Sequence, residues 1–279
     1  MPTVLITGTS TGFGHITTEL LAARGWRVFA TMRDLKRKDS LDRALKDAAL
    51  SERVTFLRLD VTHPASIEAA VKSVLAETGN TLDAVVHNAG IAIAGVLEDL
   101  PDADIRRVME TNFFGVLALT RALLPTFRAQ RHGRIVLVSS QAALSGQPGN
   151  SMYCASKWAL EGWAESLAYE VDPFGIDVVL IEPGPYRTEI WNSTIWVKPS
   201  HSAYLPWLKN LQHAARASAI RSVPSPSWII SCAARCRRNS SAEAPRAISG
   251  CRWHGGRSPS AGGAQPSPST PPRKARVLA

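Results

Sequence analysis

Val4-Leu5-Ile6-Thr7-Gly8-Thr9-Ser10-Thr11-Gly12-Phe13-Gly14 is the stretch that decides the fold. Val4 to Thr7 is a short apolar, β-branched run that stops at Gly8, and after Gly14 the residues Ile16 to Ala23 have helical character and close at Gly25. The order is strand, glycine turn, helix. Glycines let a backbone approach where a side chain would stand off, and a helix start presents unpaired N–H groups and the positive end of its dipole. That combination suits the pyrophosphate of a nucleotide. A glycine-rich turn is also, more plainly, a turn, and the strand before it and helix after it are what favour the nucleotide.

The same alternation runs outward from this turn. Trp26 to Thr31 reads as a second strand, Leu41 to Leu50 as a helix, and Val54 to Leu59 as a third strand ending in Asp60-Val61. A helix with Pro64 near its first turn runs to about Glu77, and a fourth strand, Leu82 to Val86, leads into His87-Asn88-Ala89-Gly90. Asp102 to Phe127 is a long helical segment holding Thr111-Asn112-Phe113-Phe114-Gly115. Gly133 to Val138 is a fifth strand ending in Ser139-Ser140, and Ile176 to Ile181 a sixth ending in Glu182-Pro183-Gly184-Pro185. Strands alternating with helices at this pitch predict an α/β fold, a Rossmann-type doubly wound parallel sheet with helices on both faces. Ligands of such a sheet bind outside the carboxyl ends of the strands, where each of these polar or glycine-bearing stretches falls.

Chemistry is concentrated in Tyr153-Cys154-Ala155-Ser156-Lys157. The good helix formers from Trp158 to Ala168 predict a helix opened by this pentapeptide, so that Tyr153 and Lys157 lie one turn apart on one face. A free phenol has a pKa of about 10. An ammonium about 4 Å away, at an effective dielectric of about 20, favours the phenolate by up to roughly 4 kcal/mol, about three pKa units. Such a phenol exchanges a proton with an alcohol oxygen near neutral pH. The plain alternative is an amphipathic helix with a snorkelling lysine. Ser139 and Ser140 at a strand end are placed to bond a substrate oxygen, or simply to begin a turn. Asn112 amid apolar residues reads as a satisfied core amide.

At the end of the second strand, where an acid would hold the ribose hydroxyls of NAD, Ala30, Thr31 and Met32 offer no carboxylate and Arg33 follows. An arginine there suits the 2′-phosphate of NADP. Asp34 beside it argues the other way, and Arg33 also fits a solvated charged run reaching Asp39.

Composition narrows the classes. With 45% hydrophobic residues in 279 and no apolar run long enough for a membrane span, the chain reads as one globular domain with an appendage. Its net charge of +9 is unevenly spread: from Leu211 onward there are 11 Lys and Arg against one acid, Glu243, leaving 21 bases and 22 acids in residues 1–210. The body therefore gives no electrostatic reason to expect nucleic acid or anionic membrane as its partner. Cys154, Cys232, Cys236 and Cys251 show no zinc-type pairing, which points to a reduced compartment and no metal. The N-terminus goes straight into Val4-Leu5-Ile6 without basic residues, and the expectation is a cytoplasmic protein.

Taken together, these stretches resemble the short-chain dehydrogenase/reductase family over residues 3 to about 195, with six motifs in the family's order and spacing. The resemblance implies an NAD(P)-dependent enzyme in which Tyr153 is the general acid/base. Lys157 lowers its pKa and holds the nicotinamide ribose, and Ser140, rather than Ser139, positions the reacting oxygen. Asn112 completes the set by holding a water that links Lys157 to solvent. It further implies that Gly8, Gly12 and Gly14 meet the pyrophosphate, that Ser10, Thr11 and Phe13 beside them also bind the cofactor, and that Asp60 and Val61 meet the adenine. Asn88, Ala89 and Gly90 flank the cofactor, while Pro183, Gly184 and Thr188 meet the nicotinamide. The runs Ala30 to Lys36 and Val171 to Gly184 look most like the hydroxysteroid and retinol dehydrogenase branch, which implies NADP and a bulky apolar alcohol or ketone. Pairing as a homodimer or homotetramer through the helices bearing Asn112 and Tyr153 is also implied, with Trp158 and Trp163 fitting such an interface or the core. Trp191, Trp196, Tyr204 and Trp207 stand where the family's substrate loop would follow, as pocket or as packing.

Beyond about Leu211 the resemblance ends. The expectation is a domain over residues 1–210 that lacks the family's final strand, followed by a disordered Ser, Pro and Arg-rich tail over 211–279. Three readings of the tail stand: a basic arm, a solvated tail without a role, and the product of a reading-frame change. The last leaves open a nucleotide-binding protein with little or no turnover.

Overall fold

Period-two alternation along the strands builds two apolar layers, one on each face of a single sheet. The computed structural model describes residues 1–184, 190–197, 202–206 and 276–278. Strand β1 (Thr3–Thr7) sends Leu5 into one layer and Val4 and Ile6 into the other. After it come α1 (Gly12–Ala23), β2 (Arg27–Met32), α2 (Asp39–Asp47), β3 (Val54–Arg58), α3 (Pro64–Thr78), β4 (Ala84–His87) and the two-residue β5 (Ile93–Ala94). The chain continues through α4 (Asp102–Met109), a π-helical turn (Glu110–Phe114), α5 (Gly115–Gln130), β6 (Gly133–Val138), α6 (Ser151–Val171) and β7 (Ile176–Glu182). Last are α7 (Ile190–Ser193), β8 (Ile195–Trp196) and β9 (Arg276–Leu278).

The strands run parallel in the order β3-β2-β1-β4-β6-β7-β9. Helices α1 and α2 cover one face with Leu21, Leu41 and Leu45. Helices α3, α5 and α6 cover the other, and their buried residues keep helical spacing: Ile67, Val71 and Val74; Val116, Leu119 and Leu123; Leu160, Ala164, Leu167 and Val171. Each fully buried Leu, Ile or Phe here contributes about 1.5–3 kcal/mol. The strand order reverses between β1 and β4, and the crevice beyond the carboxyl ends of these two strands is where such a sheet binds its ligand.

Two elements differ from the sequence-based expectation. The final strand, expected to be missing, is corrected by β9, which pairs with β7 at Leu180–Arg276, Ile181–Val277 and Glu182–Leu278. Three residues show no readable period, so nothing in a Pro and Arg-rich run marks them as a strand. The long helical segment read over Asp102 to Phe127 runs unbroken to Gln130 but holds an unforeseen π turn at Glu110–Phe114. The boundary at 210 and the rest of the tail lie outside the described residues. Among those described, no helix is long and apolar enough to cross a membrane.

Candidate active site

The glycine turn is built from its neighbours inward. Thr9 donates through both N–H and Oγ1 to the Thr31 carbonyl (3.0 and 3.2 Å), and Thr31 Oγ1 donates to Ile6 (2.9 Å), so β1 and β2 pin the turn between them. Gly8 and Gly12 have φ of +70° and +61°, a region L side chains rarely adopt. A Cβ on Gly14 would lie 2.4 Å from the Gly8 carbonyl oxygen and 2.5 Å from Asn88 Nδ2. These close approaches are what the spacing of the glycines is for.

Asn88 braces the turn from β4. Its Nδ2 donates to the carbonyls of Thr7 (2.9 Å) and Gly8 (2.8 Å), while Thr7 Oγ1 accepts from the N–H groups of Asn88 and Ala89 (both 3.0 Å). The pinning role of Thr7, Thr9 and Thr31 escaped the sequence reading, because threonines in strands and turns carry no motif signal. Helix α1 starts at Thr11, extended and making no side-chain cap, with no acid in its first turn. Ser10, Thr11 and Phe13 line this start half-buried. Backbone N–H groups left to an outside acceptor, at the positive end of a helix, fit a dinucleotide's pyrophosphate.

At the next strand ends, Arg33 is exposed and Asp60 half-buried. Burial pushes the Asp60 carboxyl up, but hydrogen bonds from Thr62 N–H and Oγ1, with the positive charges of His63 and Arg33, outweigh it and hold it below the usual range. Asp34 caps its own turn, accepting from Lys36 N–H at 3.0 Å. Val61 is buried against Gly115, where an added Cβ would lie 2.8 Å from the Val61 carbonyl oxygen.

Tyr153, Lys157, Ser140 and Asn112 converge beyond β4 and β6. The pentapeptide lies in the first two turns of α6, which begins at Ser151. The Ser140 hydroxyl hydrogen-bonds the Tyr153 phenol, and Ser140 Oγ accepts from Ala142 N–H at 3.1 Å. Ser139 Oγ is buried with no hydrogen-bond partner, so of the two serines it is Ser140 that reaches the tyrosine. Lys157 Nζ, buried, donates to the Val138 carbonyl at 2.9 Å and stands 5.9 Å from the centroid of the Tyr153 ring.

The expected acidification of Tyr153 does not occur in this arrangement. Burial pushes the phenol above its ordinary value of 10.0, the Ser140 hydrogen bond pulls the other way, and Lys157 has turned to Val138. Burial also brings the Lys157 ammonium down to about 8, with Glu161 opposing the fall.

Asn112 is the satisfied amide: Oδ1 accepts from Ile91 N–H (2.9 Å), and Nδ2 donates to the Ile91 carbonyl (2.9 Å) and to Ser156 Oγ (3.0 Å). It clips the chain after Gly90, where a Cβ would lie 3.3 Å from Asn112 Oδ1 and 3.9 Å from Lys157 Nζ. The π turn's extra residue sets this asparagine inward, a placement often found at functional sites.

On the far side, β5 and β8 pair in parallel and Tyr204 donates to Glu98 (2.9 Å), tying the chain beyond β7 back over the segment after Gly90. Ile93, Leu100 and Val108 form a small apolar cluster there, with Met152, Ile195 and Val197 against it. Trp196 is half-buried in β8. Pro183 accepts from Gln141 N–H at 3.0 Å, and Gly184 follows, half-buried. Thr188, Trp207 and the side chain of Trp191 lie outside the described residues. Trp163 packs on the core, and Trp158 is exposed.

Fold and site together define a dinucleotide-binding α/β domain with a tyrosine, serine and lysine at the mouth of its crevice. The family model for the short chain dehydrogenases matches residues 2–196, and the chain belongs to that family. It is 39% identical over 185 residues to a 3-ketodihydrosphingosine reductase of Bacteroides thetaiotaomicron, covering 66% of this chain and 64% of that protein. It is 41% identical over 190 residues to bovine (Bos taurus) retinol dehydrogenase 8, covering 67% of this chain and 60% of that one. The chain thus spans less than two thirds of the length of these two relatives. A short-chain dehydrogenase from Streptomyces avermitilis superposes with a TM-score of 0.72 at 33% identity, covering 82% of each chain. The NADP-bound structure of ElxO superposes with a TM-score of 0.65 at 27% identity, covering 68% of this chain and 77% of that one.

Proposed function

We propose that the protein is an NADP(H)-dependent oxidoreductase that interconverts an alcohol and a ketone or aldehyde on a bulky apolar substrate, with Tyr153 as the acid/base. The observation that carries this reading is the Ser140–Tyr153 hydrogen bond beside Lys157, at the mouth of the crevice above the glycine turn. The turn and the open start of α1 hold the pyrophosphate, with Asn88, Ala89 and Gly90 alongside. Asp60 and Val61 stand at the adenine end and Pro183 and Gly184 at the nicotinamide, the group to which the family resemblance also assigns Thr188. The dinucleotide supplies or accepts the hydride at the substrate carbon.

The protein's own groups handle the oxygen. In reduction, Ser140 donates a hydrogen bond to the carbonyl oxygen and Tyr153 transfers its proton there, so no alkoxide charge persists. A phenol pushed up by burial is protonated at neutral pH, the form that reduction uses. Alcohol oxidation needs the phenolate and grows as pH rises. Lys157 holds the ribose and draws Tyr153 down once its ammonium turns from Val138. Asn112 keeps the backbone at Ile91 in place and holds the water through which Lys157 exchanges protons.

NADP rests on Arg33 beside Asp60, with Asp34 occupied as a cap, and the apolar substrate on the cluster around Ile93. Similarity to proteins named for a ketodihydrosphingosine, a retinol and, in a human relative at 39% identity, a 17β-hydroxysteroid points the same way. A homodimer or homotetramer through the helical segments bearing Asn112 and Tyr153 is supported by the exposure of Phe114 and Trp158 on those segments.

The test is NADPH oxidation with a panel of retinal, estrone and long-chain ketones. Tyr153→Phe is expected to lower kcat about a hundredfold to ten-thousandfold with NADPH binding retained. Turnover that survives the substitution removes Tyr153 from the mechanism. Cofactor binding without turnover in the unsubstituted protein refutes the enzyme.

A further inference from the structure

Helix α6 carries a third polar residue in line with its reactive pair. Tyr153, Lys157 and Glu161 follow one another at intervals of four, which sets them on one face, a turn apart. That face is buried: Lys157 is 6% exposed and Glu161 5%. A carboxylate this deep in a helix is expensive unless its charge is used, because burial disfavours the ionised form.

We propose that Glu161 is a positioning residue for Lys157, a buried carboxylate one turn behind it that keeps the ammonium charged. This rests on the reading of Lys157 given above. The elements packed on α6 bring other charged groups: Glu182 at the end of β7, Glu110 in the π turn, and Asp102, Asp104, Arg106 and Arg107 on α4. Of the charged groups, Glu161 is the one acting on Lys157, and it raises a pKa that burial has brought to about 8. Burial and Glu161 therefore act on the lysine's charge in opposite directions. Tyr153 depends on that charge, so the carboxylate acts on the phenol through the lysine without touching substrate.

The experiment follows Lys157 directly, in the full chain labelled with 13C at lysine Cε, its resonance assigned with Lys157→Arg. The titration midpoint is expected near 8 in the unsubstituted protein. Glu161→Gln moves it down by about one pH unit, and Glu161→Asp returns it part of the way. The alkaline limb of kcat/KM moves with it, a loss of about tenfold near pH 9. An unmoved midpoint in Glu161→Gln overturns the proposal. If Glu161→Gln does not fold, the reciprocal measurement decides: Lys157→Met raises the titration midpoint of Glu161, read at 13Cδ, and an unchanged Glu161 midpoint overturns the pairing. A midpoint that moves while the activity profile stays put upholds the charge assignment and removes Lys157 from the chemistry, so the two failures are distinct.

Discussion

His87, the last residue of β4, makes acid stability the most quantitative consequence of this structure. Its ring is 3% exposed, Nε2 is 3.0 Å from Thr120 Oγ1, and Nδ1 has no partner. Burial brings its pKa from 6.5 down to about 3. Between those values the unfolded chain binds a proton that the folded protein refuses, so stability falls as pH drops through that window and is whole above it. The full effect is about 5 kcal/mol, and about 2 kcal/mol of it is lost between pH 7 and pH 5. Urea unfolding at the two pH values and fixed ionic strength, followed by far-UV circular dichroism, measures the loss. His87→Gln keeps a polar group near Thr120 but cannot charge, so its stability should drop by about 2 kcal/mol less over the same interval. The groups common to both proteins cancel in that difference. Equal losses in the two would refute the argument, whatever the absolute stabilities.

Gly14→Ala puts a methyl against the Gly8 carbonyl and the Asn88 amide, and should cost about 1–3 kcal/mol and weaken NADPH binding at least about tenfold. A thermal melt and a fluorescence titration read the two effects. Asn112→Ala strands the N–H and carbonyl of Ile91, and should lower unfolding free energy by about 1–3 kcal/mol per group. Denaturant titration checks it, and an unchanged midpoint would make the clip dispensable. Arg33→Ala should weaken NADPH about tenfold to a hundredfold and leave NADH unaltered, since the lost contact is to the 2′-phosphate alone. Equal weakening of both cofactors would return Arg33 to the solvated surface.

Much of this architecture was legible in the chain. The six strands from β1 to β7, leaving aside the two-residue β5, follow from apolar runs ending at polar stretches, and the face each residue takes follows from period two. Boundaries moved by one to four residues, as at Arg27–Met32 and Asp39–Asp47, because helix and strand ends depend on hydrogen bonds that the local pattern does not encode. The π turn at Glu110–Phe114 was not legible: it accompanies the fit of Asn112 to Ile91 and of Gly115 to Val61, contacts between residues far apart in sequence. Strand β9 was missed because three residues have no period. At the site, the spacing of Tyr153 and Lys157 located the pair, yet helical spacing says only that two side chains share a face. It does not say that the lysine takes the Val138 carbonyl and leaves the phenol to burial and Ser140.

The odd and even positions of the strands feed two separate layers, and the site draws on both. The threonine-pinned turn is held by β1, β2 and Asn88 and opens α1, whereas tyrosine, lysine and asparagine arrive on helical segments from the opposite face. On the proposed roles, the pyrophosphate turn and the proton-transfer groups belong to different halves of the sandwich, with Lys157 and Val61 reaching the cofactor from the second. On those roles, a fault in α6 reaches the proton transfer and, through Lys157, the ribose contact together, whereas one under α1 loosens the pyrophosphate turn and leaves Tyr153 and Ser140 in place.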